Sequence, residues 1–393
     1  MGEIHIGSMA SVVDDNNVLW MSNVFFNGLF RMDLNSLELC CVGAFEGADI
    51  SAGELHKGAH INGKEIIFTP FYDQAVRIYH TDSNTYQTIA IPEEHKPPFS
   101  ESVRVGQNIF FLSEDGCIWN YDIDKHSLTI DELSKDYKKF LDVTGGASKQ
   151  VVSDGFLLLK RGETLMCRID LEKHKTEIIH INGNMTDLQV ALYGQGLYWF
   201  FLLDSQDIVS WNREKSEFIR YKCKEEKWGK NNFKSVPYAK MMFVEDTAWI
   251  SNYNAMSPVQ IDKDKKSIEP IVEGLDRFRV INPGIWGPLY PNVHIAGQDF
   301  YFIPCHANLL LQYNRETGEH KTIEMVIPQE QIPYFNEIVK DALKNEATGE
   351  REEIFTLREF IECVKENGID NSSMEEKEHR KCGELIWKNS IEC

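Results

Sequence analysis

The chain has 393 residues, 42% of them hydrophobic and 11% aromatic, ample for a packed core. Its 61 acidic residues outnumber 41 basic ones and leave a formal charge of -20, a surface that repels phosphate backbones and anionic lipid heads and so argues against nucleic-acid or membrane-surface binding. There is no secretory leader pattern and no apolar run long enough to span a bilayer, and the nine cysteines sit mostly inside strand-like runs (Cys117, Cys167, Cys305) as small core residues of a reducing compartment, so a cytoplasmic location is expected.

A unit resembling Gly106 to Asp122 recurs seven times. A turn residue opens each copy (Asp15, Gly63, Gly106, Ser153, Gly194, Val244, Gly297), and five positions later stands a large apolar residue (Trp20, Phe68, Phe111, Leu158, Trp199, Trp249, Phe302). A second anchor closes the next run: Asp33, Asp82, Asp122, Asp170, Asn212, Asp262 and Asn314. Asp and Asn start tight turns because their side-chain oxygen bonds a backbone N–H two residues on. With one run before each opening turn, as in Ser102–Val105 or Asn292–Ala296, every copy supplies four short strands. Between copies lie long connections, Gly43 to Gly58, Ile91 to Glu101, Ser134 to Lys149, Cys223 to Lys240 and Gly274 to Asn292, and long loops on a rigid scaffold commonly carry binding residues.

These repeats, about 40 to 50 residues long, resemble the β-propellers. The resemblance implies an all-β fold, a seven-bladed β-propeller of four-stranded antiparallel blades over residues 1–327. Neither the Gly-His and Trp-Asp pairs of WD repeats nor a regular kelch double glycine is present, so it extends to the architecture and to no functional family. After residue 327 the apolar period changes to three or four. Candidate helices at Gln329 to Asn345, from the capping box Thr356-Leu-Arg-Glu359, and from Ser373 make residues 328–393 a helical C-terminal extension, packed on the propeller or docking a partner.

Gly58 to Lys64 matches a phosphate-binding loop except at Glu65, where a hydroxyl is needed, and it falls between strands. Asp122/Asp124 and Asp262/Asp264 could suggest calcium, but both pairs occupy the recurring strand-closing turn. No metal-ligand set and no cofactor is expected.

Polar and aromatic residues at loop positions converge on the channel mouth of such a fold. His56, Phe71, Tyr72, Lys149, Lys160, Asn252, Tyr253, Trp286, Asn292 and His306 are the ligand-binding candidates. His60 and His294, at equivalent places on inner strands of the second and seventh repeats, are candidate acid and base, with Arg104 holding an anionic group. The expected function is recognition or scaffolding of a protein, peptide or glycan partner at this face. The alternative is an enzyme (lyase, epimerase or hydrolase on a glycan or peptide) using the same histidines.

Overall fold

A computed structural model describes residues 5–49, 52–144, 149–153, 155–161, 164–181, 188–202, 205, 207–223, 238–252, 257–272, 289–328 and 331. The chain divides into two compact units, Met1–Leu343 and Lys344–Cys393, and every described residue belongs to the first.

Among the described residues, twenty-eight strands follow one another in fours. They are β1 (Ser8–Val13), β2 (Val18–Asn23), β3 (Leu29–Asp33) and β4 (Leu39–Gly43), then β5 (His56–Asn62), β6 (Glu65–Pro70), β7 (Ala75–His80) and β8 (Thr85–Ala90). The third group is β9 (Val103–Val105), β10 (Asn108–Leu112), β11 (Ile118–Asp122) and β12 (Ser127–Ile130). Helix α1 (Ser134–Thr144) precedes β13 (Lys149–Ser153), β14 (Phe156–Arg161), β15 (Leu165–Asp170) and β16 (Lys175–His180). Next come β17 (Leu188–Gly194), β18 (Leu197–Leu202), β19 (Ile208–Asn212) and β20 (Glu217–Cys223), and β21 (Tyr238–Val244), β22 (Thr247–Asn252), β23 (Val259–Asp262) and β24 (Ser267–Pro270). The last group is β25 (Asn292–Ala296), β26 (Asp299–Ile303), β27 (Leu309–Asn314) and β28 (His320–Glu324).

These strands form six sheets, five of four antiparallel strands and one of eight. The eight-stranded sheet consists of two antiparallel halves, β17 to β20 and β21 to β24, joined where β20 and β24 pair in parallel over Lys222–Ser267 and Cys223–Ile268.

The apolar anchors all land on the second strand of their group and are buried: Trp20, Phe68, Phe111, Leu158, Trp199, Trp249 and Phe302. The acidic anchors end third strands, and their side chains accept backbone N–H bonds across the turn, as Asp33 from Asn35 (2.7 Å), Asp170 from Lys173 (2.9 Å) and Asp262 from Lys265 (2.9 Å). Asp122 and Asp262 also bind Lys125 and Lys265, so one acid of each pair that suggested calcium is engaged in closing its turn. One anchor is displaced. In the second group the strand ends at His80, two residues before Asp82, because the residue of positive φ that closes each of these turns stands four places after the strand end, and here it is Asn84.

The stretch from Ser134 to Lys149, expected as a loop, contains α1. Tyr137, Phe140 and Leu141 share one of its faces and pack with Leu112, Ile118, Leu157 and Cys167 of the two adjoining sheets. Ser134 fixes its start, the hydroxyl accepting the Ile118 N–H at 2.8 Å.

A four-stranded sheet leaves both apolar faces uncovered, and each is covered here by a neighbour. Trp20 packs with Phe68, Ile67 with Phe111, Phe110 with Leu157, Leu158 with Phe200, Trp199 with Ile250, and Trp249 with Phe300 and Phe302. The circuit closes where Leu19, Met21 and Phe30 meet Tyr301, Ile303 and Leu310. Backbone bonds reinforce this contact, from Ile6 N to the Met325 carbonyl and from Ser8 N to that of Pro304, both 2.8 Å. The helices expected beyond residue 328 lie outside the described residues except for Gln331. Its amide accepts from Cys41 N at 2.9 Å and donates to the Leu39 carbonyl at 3.2 Å, capping the edge of β4. Among the described residues no helix is long and apolar enough to cross a membrane.

Gly7 sits at the closing contact, where an added Cβ would lie 2.0 Å from the Cys305 carbonyl oxygen. Backbone cannot give way cheaply, so Gly7→Ala is expected to cost about 1–3 kcal/mol by urea unfolding. An unchanged midpoint would mean that the first and last sheets do not meet there.

Candidate functional site

First strands of successive groups adjoin one another, β1 beside β5 and β25, and β17 beside β13 and β21. Their side chains therefore surround a common interior. His60 and His294 occupy matching places in it, each two pairs from its hairpin (His60 opposite Ile67, His294 opposite Tyr301). Each ring reaches to the next group: His60 Nε2 lies 2.7 Å from Ser102 Oγ, and His294 Nε2 lies 2.8 Å from Ser11 Oγ. Ser102 also receives the Thr69 hydroxyl at 2.7 Å. This convergence requires Gly58, since a Cβ there would stand 1.9 Å from Ser102 Oγ and 2.5 Å from Thr69 Oγ1.

Charged groups crowd the same interior. Lys240 on β21 reaches Glu101, before β9, with Nζ 2.5 Å from the carboxylate. Lys57 on β5 lies over the Phe71 ring, 4.3 Å from its centroid. Burial lowers the Lys57 pKa against the pull of Glu101 and Glu54, and raises that of Glu54 against Lys57. Burial, then Arg104 and Lys240, pushes His60 down to about 3, and burial, then Lys240, pushes His294 down to about 4. Both rings keep some contact with solvent and are neutral imidazoles at pH 7. The Cys305 thiol is fully buried, and burial with Glu54 pushes its pKa up.

The other expected residues fall in several places. Arg104 directs its guanidinium at the Ile61 carbonyl, at the Gly106 carbonyl (2.9 Å) and at Gln107 Oε1 (2.9 Å), bracing one hairpin against another. His56 is buried against Phe45 and Phe68, with Nδ1 2.8 Å from Ser22 Oγ and Nε2 3.4 Å from Asp73. Burial lowers its pKa in spite of Asp73. Burial alone would raise the Asp73 carboxyl, but His56 and Arg77 hold it down at about 2. Phe71 and Tyr72 lie in the β6–β7 loop with ring centroids 4.3 Å apart and planes tilted by 53°, and Tyr72 is 49% exposed. Asn292 donates to the Met9 carbonyl at 2.6 Å. His306 is buried edge-on to Phe25, and burial lowers its pKa. Lys149 and Lys160 face each other in register on β13 and β14, and Asn252 ends β22 opposite Tyr238; their side chains are outside the described set. Tyr253 and Trp286 lie outside the described residues.

Lys57, Glu54 and Lys240 are absent from the sequence-based candidates. A lysine inside a first strand, at Lys57 and again at Lys240, is the signal that marks them.

No protein-family model matches this chain, and no curated protein matches it in sequence. In structure it is similar to virginiamycin B lyase from Staphylococcus aureus, with a TM-score of 0.52 and 13% identity over 78% of this chain and 96% of that one. A catalytically inactive histidine-to-alanine variant of the lyase with quinupristin gives 0.55 and 12% over the same shares. An extracellular domain assigned to a one-component system of B. thetaiotaomicron gives 0.51 and 9%, over 82% of this chain and 46% of that one. The fold is a β-propeller. At these identities the likeness is one of fold alone, and it joins a lyase to the extracellular domain of a one-component system.

The neutral histidines give stability a pH dependence with a definite sign. Unfolded imidazole takes up a proton near pH 6.5, whereas the folded rings wait until about 4 and about 3. The unfolded state binds more protons in between, so stability is full above about pH 6.5 and falls below it, by at most about 1.4 kcal/mol per pH unit for each ring. His60→Gln with His294→Gln should flatten this part of the curve in urea titrations. An equally steep decline in the double variant would assign it to other groups.

Proposed function

We propose that the chain is a seven-bladed propeller over residues 1–327 that recognises a protein, peptide or glycan partner at its loop-rich face without transforming it, followed by a helical extension over 328–393, in the cytoplasm. Counting the two halves of the eight-stranded sheet as separate blades gives seven, in keeping with the seven sequence anchors. One observation carries the choice of recognition. His60 and His294 are neutral and bonded to serines of the adjoining group, and Arg104 points at carbonyls, so the three groups placed for acid–base chemistry are engaged in holding sheets together.

The groups that remain suit binding. Tyr72 is exposed beside Phe71, Lys57 lies over that ring, and the part-exposed Lys240–Glu101 pair offers both charges. Aromatic surface beside a desolvated cation is a common anchor for a partner.

A second reading, supported by the fold likeness to a lyase and by Lys240 near both rings, makes His60 and His294 the acid and base of a lyase, epimerase or hydrolase on a glycan or peptide.

Purified protein applied to peptide and glycan arrays separates the two. Recognition predicts saturable binding, weakened at least about tenfold, or about 1.4 kcal/mol, by Tyr72→Ala with Lys240→Ala, and kept by His60→Gln with His294→Gln. Turnover of a bound compound that disappears in the histidine pair, with an unchanged melting transition, would replace recognition by catalysis.

A further inference from the structure

Outside the channel, three side chains of different chemistry converge at the tip of the β10–β11 hairpin. His95 Nδ1 lies 2.5 Å from Asp115 Oδ2 and 3.7 Å from Cys117 Sγ, and Cys117 Sγ lies 3.5 Å from Asp115 Oδ2. They come from two separate segments, the connection before β9 and the hairpin itself. The geometry points to a binding site for one divalent cation of the zinc class, held by His95 Nδ1, Asp115 Oδ2 and Cys117 Sγ with its fourth position open to solvent.

The distances support this assignment. Tetrahedral zinc with bonds of about 2.3 Å to sulfur and about 2.0 Å to nitrogen and oxygen places sulfur about 3.5 Å from each of the other two donors, and those donors about 3.3 Å apart. The sulfur edges of 3.5 and 3.7 Å are already close to that length. Only the edge from His95 to Asp115 must widen, as the cation replaces the proton between them. An imidazole, a carboxylate and a thiolate form a borderline-soft set that favours zinc or cobalt over magnesium or calcium.

The donors are also held in place. Asp115 Oδ1 accepts from the Ser113 hydroxyl and from Cys117 N (3.3 Å), which leaves Oδ2 to face the other two donors. Trp119 Nε1 in turn bonds Ser113 Oγ at 3.3 Å. His95 is fixed through its backbone, its N–H on the Pro92 carbonyl (3.0 Å) and its carbonyl on Gln74 Nε2 (2.6 Å), while its ring stands edge-on to Trp119 at 4.9 Å. Such outer bonds orient metal ligands. The Cys117 side is buried, whereas the Asp115 side chain is 39% exposed, which gives an approach and room for a water ligand.

Lys138 of α1 also reaches the thiol, and being exposed it can withdraw into solvent when a cation enters. The Asp115 carboxylate, 3.5 Å from the thiol and 2.5 Å from the imidazole, supplies the negative charge that attracts a cation. Binding through Nδ1 puts the single proton of the neutral His95 ring on Nε2, and the thiol proton goes to solvent as the sulfur ligates, so affinity rises with pH.

Cobalt(II) titration of the chelator-stripped full-length protein, kept reduced, tests the site. One equivalent should produce a saturable thiolate-to-cobalt charge-transfer band that zinc abolishes. Cys117→Ser should remove the band, His95→Gln and Asp115→Asn should each weaken binding at least about tenfold, and Cys40→Ser with Cys41→Ser should change nothing. No band in the wild type, or one that survives Cys117→Ser, overturns the proposal. If Cys117→Ser fails to fold, Asp115→Asn at its exposed position decides, and unaltered cobalt affinity there is equally fatal.

Discussion

Four short strands make a sheet whose two faces are both apolar, and such a sheet has no stable existence in water until something covers each face. Every group here solves this in the same way, by lending one face to the group before it and the other to the group after. The solution is complete only if the first group also meets the last. That is why Leu19, Met21 and Phe30 against Tyr301, Ile303 and Leu310 matter beyond their own burial. Gly7 at the Cys305 carbonyl and Ile6 at Met325 serve the same junction through the backbone.

Apolar packing joins the groups through their sheet faces, while polar side chains join them near the interior. His60 to Ser102, His294 to Ser11 and Asn292 to Met9 each cross from one group to the next. Polar residues on first strands thus join neighbouring groups. Desolvation, with Lys240 near both rings and Arg104 near His60, holds these imidazoles in the neutral form, and a neutral ring loses much of its use as an acid. Lys57 over the Phe71 ring and Lys240 paired with Glu101 are cations of the same interior.

Much of this fold is legible in the sequence because its repeat is local. Trp20, Phe68, Trp199 and their equivalents occupy one strand position throughout, and the turn acids bond the backbone within three residues of themselves. Where a local signal had a competitor, it misled. Asp82 looks like the strand-closing acid, yet Asn84 at positive φ decides where the turn begins and makes His80 the last strand residue. In α1, the apolar spacing of Tyr137, Phe140 and Leu141 is visible but rests on only three residues. The interior was half legible. Equivalent positions found His60 and His294 but could not tell that each would be taken up by a serine from a different repeat. Arg104 looked free because its carbonyl partners carry no sequence signature. His95, Asp115 and Cys117 have no motif spacing, and only the folding of one connection onto a hairpin tip brings them together.

The parallel pairing of Lys222 with Ser267 and Cys223 with Ile268 sets the two halves of the large sheet apart from the rest. Outer strands of small sheets expose a row of unsatisfied amides and carbonyls, which invites another chain to add itself. Two of those rims are turned inward on each other here, and a third, that of β4, receives the Gln331 side chain. The molecule thereby protects part of its own periphery against edge-to-edge self-association, using contacts that contribute nothing to its centre.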